Sequence, residues 1–127
     1  MNYVYLVTLL MLAEYVLIGY GVSRARTRYR IKAPAVTGDP QFERWFRAQQ
    51  NTVEQLIVVI PALWIAGLTL DPLWAAAVGA VFVVGRGFYV YGYVQSGGGR
   101  HYGFMVGYTA ALALLSGALW GVLKSLV

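Results

Sequence analysis

The sequence predicts an all-α integral membrane protein, a bundle of four transmembrane helices, and three observations carry that prediction. Of the 127 residues, 59% are hydrophobic and 12% charged, with a mean hydropathy of +0.60, a balance unusual for a soluble domain. Crossing a hydrocarbon core of about 30 Å takes about 20 mostly apolar helical residues, and four stretches qualify, within helices expected over about 3–24, 41–70, 72–95 and 101–125. Finally, runs such as VYLVTLLML and AAAVGAVFVVG are apolar at every position, where the strands of a membrane barrel alternate with period two. The four spans nearly exhaust the chain, so residues 1–127 are expected to form one membrane domain. Its function is expected inside the helices or in the short loops between them.

The first span has no basic residue before it and no clean small-residue cleavage site, and it runs into RARTRYR, the pattern of a stop-transfer anchor and not of a signal peptide. Glu14 stands in its middle. A carboxylate at that depth either hydrogen-bonds across helices or serves as a proton or cation site. Arg24, Arg26, Arg28, Arg30, Lys32, Arg44 and Arg47 fall between the first and second spans, and Arg86, Arg100 and Lys124 are the remaining basic residues. The positive-inside tendency places the 24–41 loop in the cytoplasm, the 95–102 loop on the same side and both termini opposite. In its simplest role the basic loop fixes that topology and touches anionic lipid.

Within this loop, APAVTGDPQ gathers Pro34, Gly38, Asp39 and Pro40, turn formers that favour a bend before a new helix. Asp39 or Thr37 is placed to cap that helix, with Pro40 in its first turn. The second helix is therefore expected to begin near residue 41 and to be roughly 45 Å long at about 1.5 Å per residue, longer than the hydrocarbon. Its first turns, FERWFRAQQNTVEQ, are unusually charged for the threshold of a span. At about 100° per residue, Glu43, Arg47, Gln50, Asn51 and Glu54 form one narrow stripe, and Phe42, Trp45, Phe46, Gln49 and Val53 take the opposite side. Polar groups this deep usually face a bundle interior or a wet cavity, so the stripe is expected to face protein and a bound polar ligand.

Asp71 and Pro72 make the tight outer turn into the third helix. There Arg86, Tyr89 and Tyr93 are spaced i, i+3, i+7 and share a face. Tyr91 and Tyr102 are compatible with an interfacial aromatic belt, and His101 reads as interfacial. Arg86 lies several residues inside the apolar run and needs a partner. In QSGGGRHYG, three consecutive glycines are expected to form a flexible turn that delivers Arg100 to the start of the fourth helix.

These residues limit the chemistry. Arg26, Arg47 and Arg100 are fixed cations, Glu54 is an anion, Asn51 is a neutral donor and acceptor, and Tyr89 and Tyr93 offer hydroxyls. A ligand matching that set carries several carboxylates and one ammonium. With no cysteine the chain has no thiolate nucleophile of its own, so any thiol chemistry must use a thiol brought by a substrate. A single histidine without cysteine does not supply the usual soft metal ligands, and no metal is expected. There is no phosphate-cradling glycine loop between strand and helix and no evident nucleophile, base and orienter. Membrane attachment of the basic loop argues against nucleic acid.

The segment FERWFRAQQNTVEQ, preceded by an arginine-rich stretch and the Pro34 to Gly38 turn and followed by RGFYVYGY and Arg100, resembles the MAPEG family, the membrane-associated proteins in eicosanoid and glutathione metabolism. The resemblance spans all four helices. It implies a homotrimer that binds glutathione as co-substrate between neighbouring subunits, near the cytoplasmic face. Arg26, Arg47, Gln49, Asn51, Glu54, Tyr89 and Tyr93 would hold the glutathione, with Arg100 as the catalytic residue beside its sulfur. The fit is physical as well: arginine forks suit carboxylates, Glu54 suits an ammonium, and a permanent guanidinium charge beside sulfur favours the thiolate. The implied activity is a membrane-bound glutathione transferase or glutathione-dependent peroxidase acting in detoxification, on lipophilic electrophiles or lipid hydroperoxides that arrive from the bilayer.

Gln55 and Thr27 stand where the leukotriene-synthase-like branch has a tyrosine and a second arginine, and the helix-two proline is displaced to Pro61; these departures bear on the substrate. The short chain without extra loops suggests a bacterial member in the inner membrane. Two alternatives stay open: a small multidrug-type transporter using Glu14, and a non-catalytic relative that binds glutathione or lipid.

Overall fold

A computed structural model describes residues 1–96 and 100–127. It consists of four helices, α1 (Asn2–Tyr29), α2 (Pro40–Thr69), α3 (Pro72–Ser96) and α4 (His101–Leu126), each long and apolar enough to cross a membrane. The glycine turn expected at 97–99 lies outside the described residues.

The first helix continues five residues past the expected end at 24. The segment RARTRY holds no breaker, and its long basic side chains are good helix formers. It stops where Arg30 turns left-handed, with φ 58°, after a last turn whose Arg26 and Arg28 suit the negative end of the helix dipole. The start of α2 is capped as its sequence predicts: the Asp39 carboxylate accepts from Gln41 N at 2.8 Å and from Phe42 N at 3.2 Å, and Pro40 occupies the first turn, where its missing N–H costs nothing. Asp71 repeats the device at α3, accepting from Leu73 N at 3.1 Å.

Both α2 and α3 pack against every other helix, while α1 and α4 each pack against that central pair. Val4, Met11, Val59, Leu63, Ala66, Phe82 and Leu114 form the main apolar core, and across it Trp64 Nε1 donates to Thr8 Oγ1 at 2.9 Å. Lipid tails offer helices no hydrophobic reason to associate, so close packing of small residues takes over. Gly103 on α4 lies directly against the backbone of Tyr89 on α3, where an added Cβ would collide with its N and Cα. This contact fixes the start of α4 against the later turns of α3.

Candidate functional site

The site begins with the stagger of α3. Positions 86, 89 and 93 fall on one face, and that face is turned inward: Arg86 is only 1% exposed, and Tyr89 and Tyr93 are buried. The Tyr89 and Tyr93 rings stack at 5.8 Å, inclined by 7°. The Arg86 guanidinium lies over the Tyr89 ring at 4.4 Å and near that of Phe82 at 5.6 Å. Its Nη1 donates to Asn51 Oδ1 on α2 at 2.6 Å. At the other end, the exposed Arg100 sits over Tyr93 at 4.8 Å. The result is a continuous ladder, Asn51, Arg86, Tyr89, Tyr93, Arg100, running from α2 across α3 to the threshold of α4.

The ladder gives Arg86 its partner. A cation buried in an apolar bundle is costly unless its donors are used, and here an amide oxygen and aromatic faces share it; Arg86 Nε lacks a hydrogen-bond partner among the described residues. The Asn51 amide oxygen accepts from Arg86, and the two N–H donors of the same amide take no part in that bond.

The stripe on α2 divides within the single subunit. Arg47, Gln50 and Glu54 do not face protein within the single subunit but are exposed, and Asn51 alone turns in to Arg86. The reason is angular: residues 47, 50 and 54 share one column, whereas Asn51 stands at its edge, and a single neighbouring helix covers only that edge. Glu43 is used locally, accepting weakly from Gly38 N at 3.4 Å. The opposite side behaves as expected, with Phe42 buried and Trp45, Phe46, Gln49 and Val53 half-buried.

Two further site candidates lie against other parts of the subunit. Arg26 lies over the Phe42 ring at 4.8 Å and donates through Nη1 to Ala35 O at 2.7 Å, bracing the loop that leads to α2. Gln49 points its Nε2 at Gly19 of α1, 3.1 Å from where a Cβ would stand. Glu14 is half-buried and lines, with Leu17, Ile18, Trp45, Gly87, Val90 and Tyr91, a cavity of about 270 Å³, its Oε2 facing Gly87. His101 and Tyr102 are exposed beside Arg100. Among the described residues no group of three or more metal-ligating side chains comes together.

Two residues beyond the expected set shape the site. Arg86 continues the Tyr89 and Tyr93 column by one turn, a spacing visible in the sequence. Gly103 and Gly107 in HYGFMVGY form the small-xxx-small spacing that marks a close helix contact.

Comparison with known proteins gives a coherent set. The profile of the MAPEG family matches residues 4–120. An uncharacterised protein of Synechocystis is 40% identical over 121 residues, 95% of this chain and 88% of the relative. Human microsomal glutathione S-transferase 2 is 45% identical over 100 residues, 77% of this chain and 67% of that protein. Guinea-pig leukotriene C4 synthase is 40% identical over 75 residues, 59% of this chain and 50% of that protein.

Proposed function

The chain belongs to the MAPEG family as an integral, multi-pass membrane protein, and on that premise we propose that it is a glutathione transferase with glutathione-dependent peroxidase capacity. The observation that carries the proposal is the ladder from Asn51 to Arg100, which lines up a neutral donor, a buried cation, two phenols and an exposed cation. Glutathione carries two carboxylates, one ammonium and a thiol, and these residue types suit that set. Asn51 donates to a carboxylate or peptide oxygen, the tyrosine hydroxyls extend the polar wall, and Arg100 at the open end holds the sulfur as thiolate. Human microsomal glutathione S-transferase 2 and guinea-pig leukotriene C4 synthase support the reading at the level of glutathione chemistry.

The exposed Arg47 and Glu54 fit a site that a neighbouring subunit completes, in a homotrimer. Arg47 there meets a carboxylate and Glu54 the γ-glutamyl ammonium, while Arg26 and Gln49 line the same site from the neighbouring subunit. The basic loop, and with it the glutathione site, lies at the cytoplasmic face of a bacterial inner membrane. In the transferase reaction the thiolate attacks an electrophilic carbon, a C–S bond forms and the leaving group departs with the electron pair. In the peroxidase reaction it attacks the hydroperoxide, the O–O bond breaks to give an alcohol and a sulfenic acid, and a second glutathione yields disulfide and water. The electrophile enters laterally from the bilayer.

Titrating the purified protein with glutathione while following thiolate absorbance tests the proposal. A saturable signal followed by conjugation of a general electrophile supports it; binding without turnover would leave a non-catalytic relative. Glu14 also has a cavity of its own, and Glu14→Gln separates the transporter alternative: proton-coupled drug exchange lost with that substitution would favour transport, whereas unchanged conjugation accords with the enzyme.

A further inference from the structure

The arginine-rich end of α1 holds a second feature that the glutathione reading leaves unused. A cleft of about 300 Å³ lies between α1 and the start of α2, lined by Leu17, Tyr20, Gly21, Arg24, Ala25, Arg28, Tyr29, Gln41 and Trp45. Its α1 wall is one helical face, because residues 17, 21, 24 and 28 follow the i, i+4, i+7, i+11 spacing. Its floor is the Trp45 ring, which rests directly on Gly21, where a Cβ would overlap it.

The chemistry along the cleft is graded. Leu17 and Tyr20, both exposed, make the end deeper in the span apolar, and Arg24 and Arg28, one turn apart and also exposed, make the other end cationic. From Leu17 to Arg28 the helix rises about 16 Å at about 1.5 Å per residue, the distance from a lipid headgroup down into the first part of an acyl chain. Arg24 lies beside the Tyr20 ring at 6.0 Å and Arg28 beside the Tyr29 ring at 5.6 Å. Neither guanidinium is paired with a carboxylate among the described residues. A small soluble anion would use the cationic end and leave the apolar wall idle; an anionic phospholipid uses both.

We propose that this cleft is a binding site for one anionic phospholipid, with the phosphate between Arg24 and Arg28 and an acyl chain along Gly21, Trp45 and Leu17. The site is more than the diffuse attraction of a basic segment for a charged surface, because it has a floor, a depth and two guanidiniums on one face. Arg30 and Lys32 carry similar charge nearby but do not line it.

Native mass spectrometry of the whole protein, released from micelles containing equal amounts of phosphatidylglycerol and phosphatidylcholine, tests the proposal. The expected result is retention of one phosphatidylglycerol per chain. Retention should fall roughly tenfold or more in R24Q/R28Q, two juxtamembrane charges being removed, and stay within about twofold in R30Q/K32Q, which removes the same charge outside the cleft. Equal losses in the two double variants would reduce the site to diffuse electrostatics and overturn it. So would equal retention of phosphatidylcholine, or a change of oligomeric mass in R24Q/R28Q, which would make a second copy of the chain the occupant.

Discussion

Toward Thr69 and Pro72, the helices are held by Val4, Met11, Leu63, Phe82 and Leu114, with Trp64 to Thr8 as the polar tie between α1 and α2. Toward Arg100, the same bundle buries an arginine, ties it to Asn51 and stacks it on tyrosine. The first region is an ordinary solution to packing in lipid, with small residues, close contact and one neutral hydrogen bond between helices. The second takes on a desolvation cost that packing alone does not require. Intramembrane cations are expensive, and where they are kept they mark function more often than stability. The contrast makes the second region the candidate for the proposed chemistry and the first its scaffold.

Substitutions in the two regions can break or sharpen that contrast. The largest effect is expected of Arg100→Ala, which removes the charge at the open end of the ladder. Conjugation should fall by about 100-fold or more, as when a preorganised stabilising group is deleted. Glutathione affinity should stay within a few fold and the thiolate absorbance should disappear; a variant that forms thiolate normally would take Arg100 out of this role.

Next is Asn51→Leu. It strips the buried Arg86 of its acceptor and should lower stability by about 1.5–3 kcal/mol, the worth of a hydrogen bond to a charged group, seen as an earlier thermal transition in detergent. An unchanged melting curve would mean that Arg86 finds another partner.

Gly103→Ala should cost about 1–3 kcal/mol through overpacking, because the backbone of Tyr89 leaves no room for a methyl group. Since it moves α4 away from α3, turnover should fall along with stability, which separates it from a pure packing variant in the other region.

Glu54→Gln should leave the thermal transition where it is, the side chain being exposed. It should weaken glutathione binding by about 1–3 kcal/mol, measured by calorimetric titration. Equal affinity would exclude Glu54 from the ammonium site.

The smallest effect belongs to the scaffold. Thr8→Val deletes the acceptor of Trp64 Nε1 and should cost about 0.6 kcal/mol, typical of a hydrogen bond between membrane helices, with no change in turnover. A marked loss of activity there would dissolve the distinction between the two regions.

Much of this was legible residue by residue. Asp39 and Pro40 announced the start of α2 because capping is local chemistry, decided within four residues. Arg86, Tyr89 and Tyr93 announced a shared face because helical spacing is fixed. The stripe from Glu43 to Glu54 was legible as a stripe, but its division was not. Whether Asn51 or Glu54 turns inward depends on which edge of α2 receives α3, and no local rule contains that. The end of α1 differs from its expected place for a related reason: apolar length marks where the hydrocarbon ends, whereas the helix persists until the backbone meets a residue that stops it, here Arg30.

The sequence by itself determined the four spans, the Asp39 cap of α2, the basic loop and a set of residue types matched to a ligand with several carboxylates and one ammonium. Length, hydropathy and periodicity are properties of the chain taken in order, and membrane insertion depends on them directly. Only the tertiary structure decided which of those residues meet. Gly103 brings α4 against Tyr89, the α3 face sets Arg86 on Asn51, and Arg100 comes to rest over Tyr93, while Arg47 and Glu54 are left outside. Such contacts depend on how closely two helices approach and at what rotation, and those quantities are fixed by packing between segments far apart in the chain.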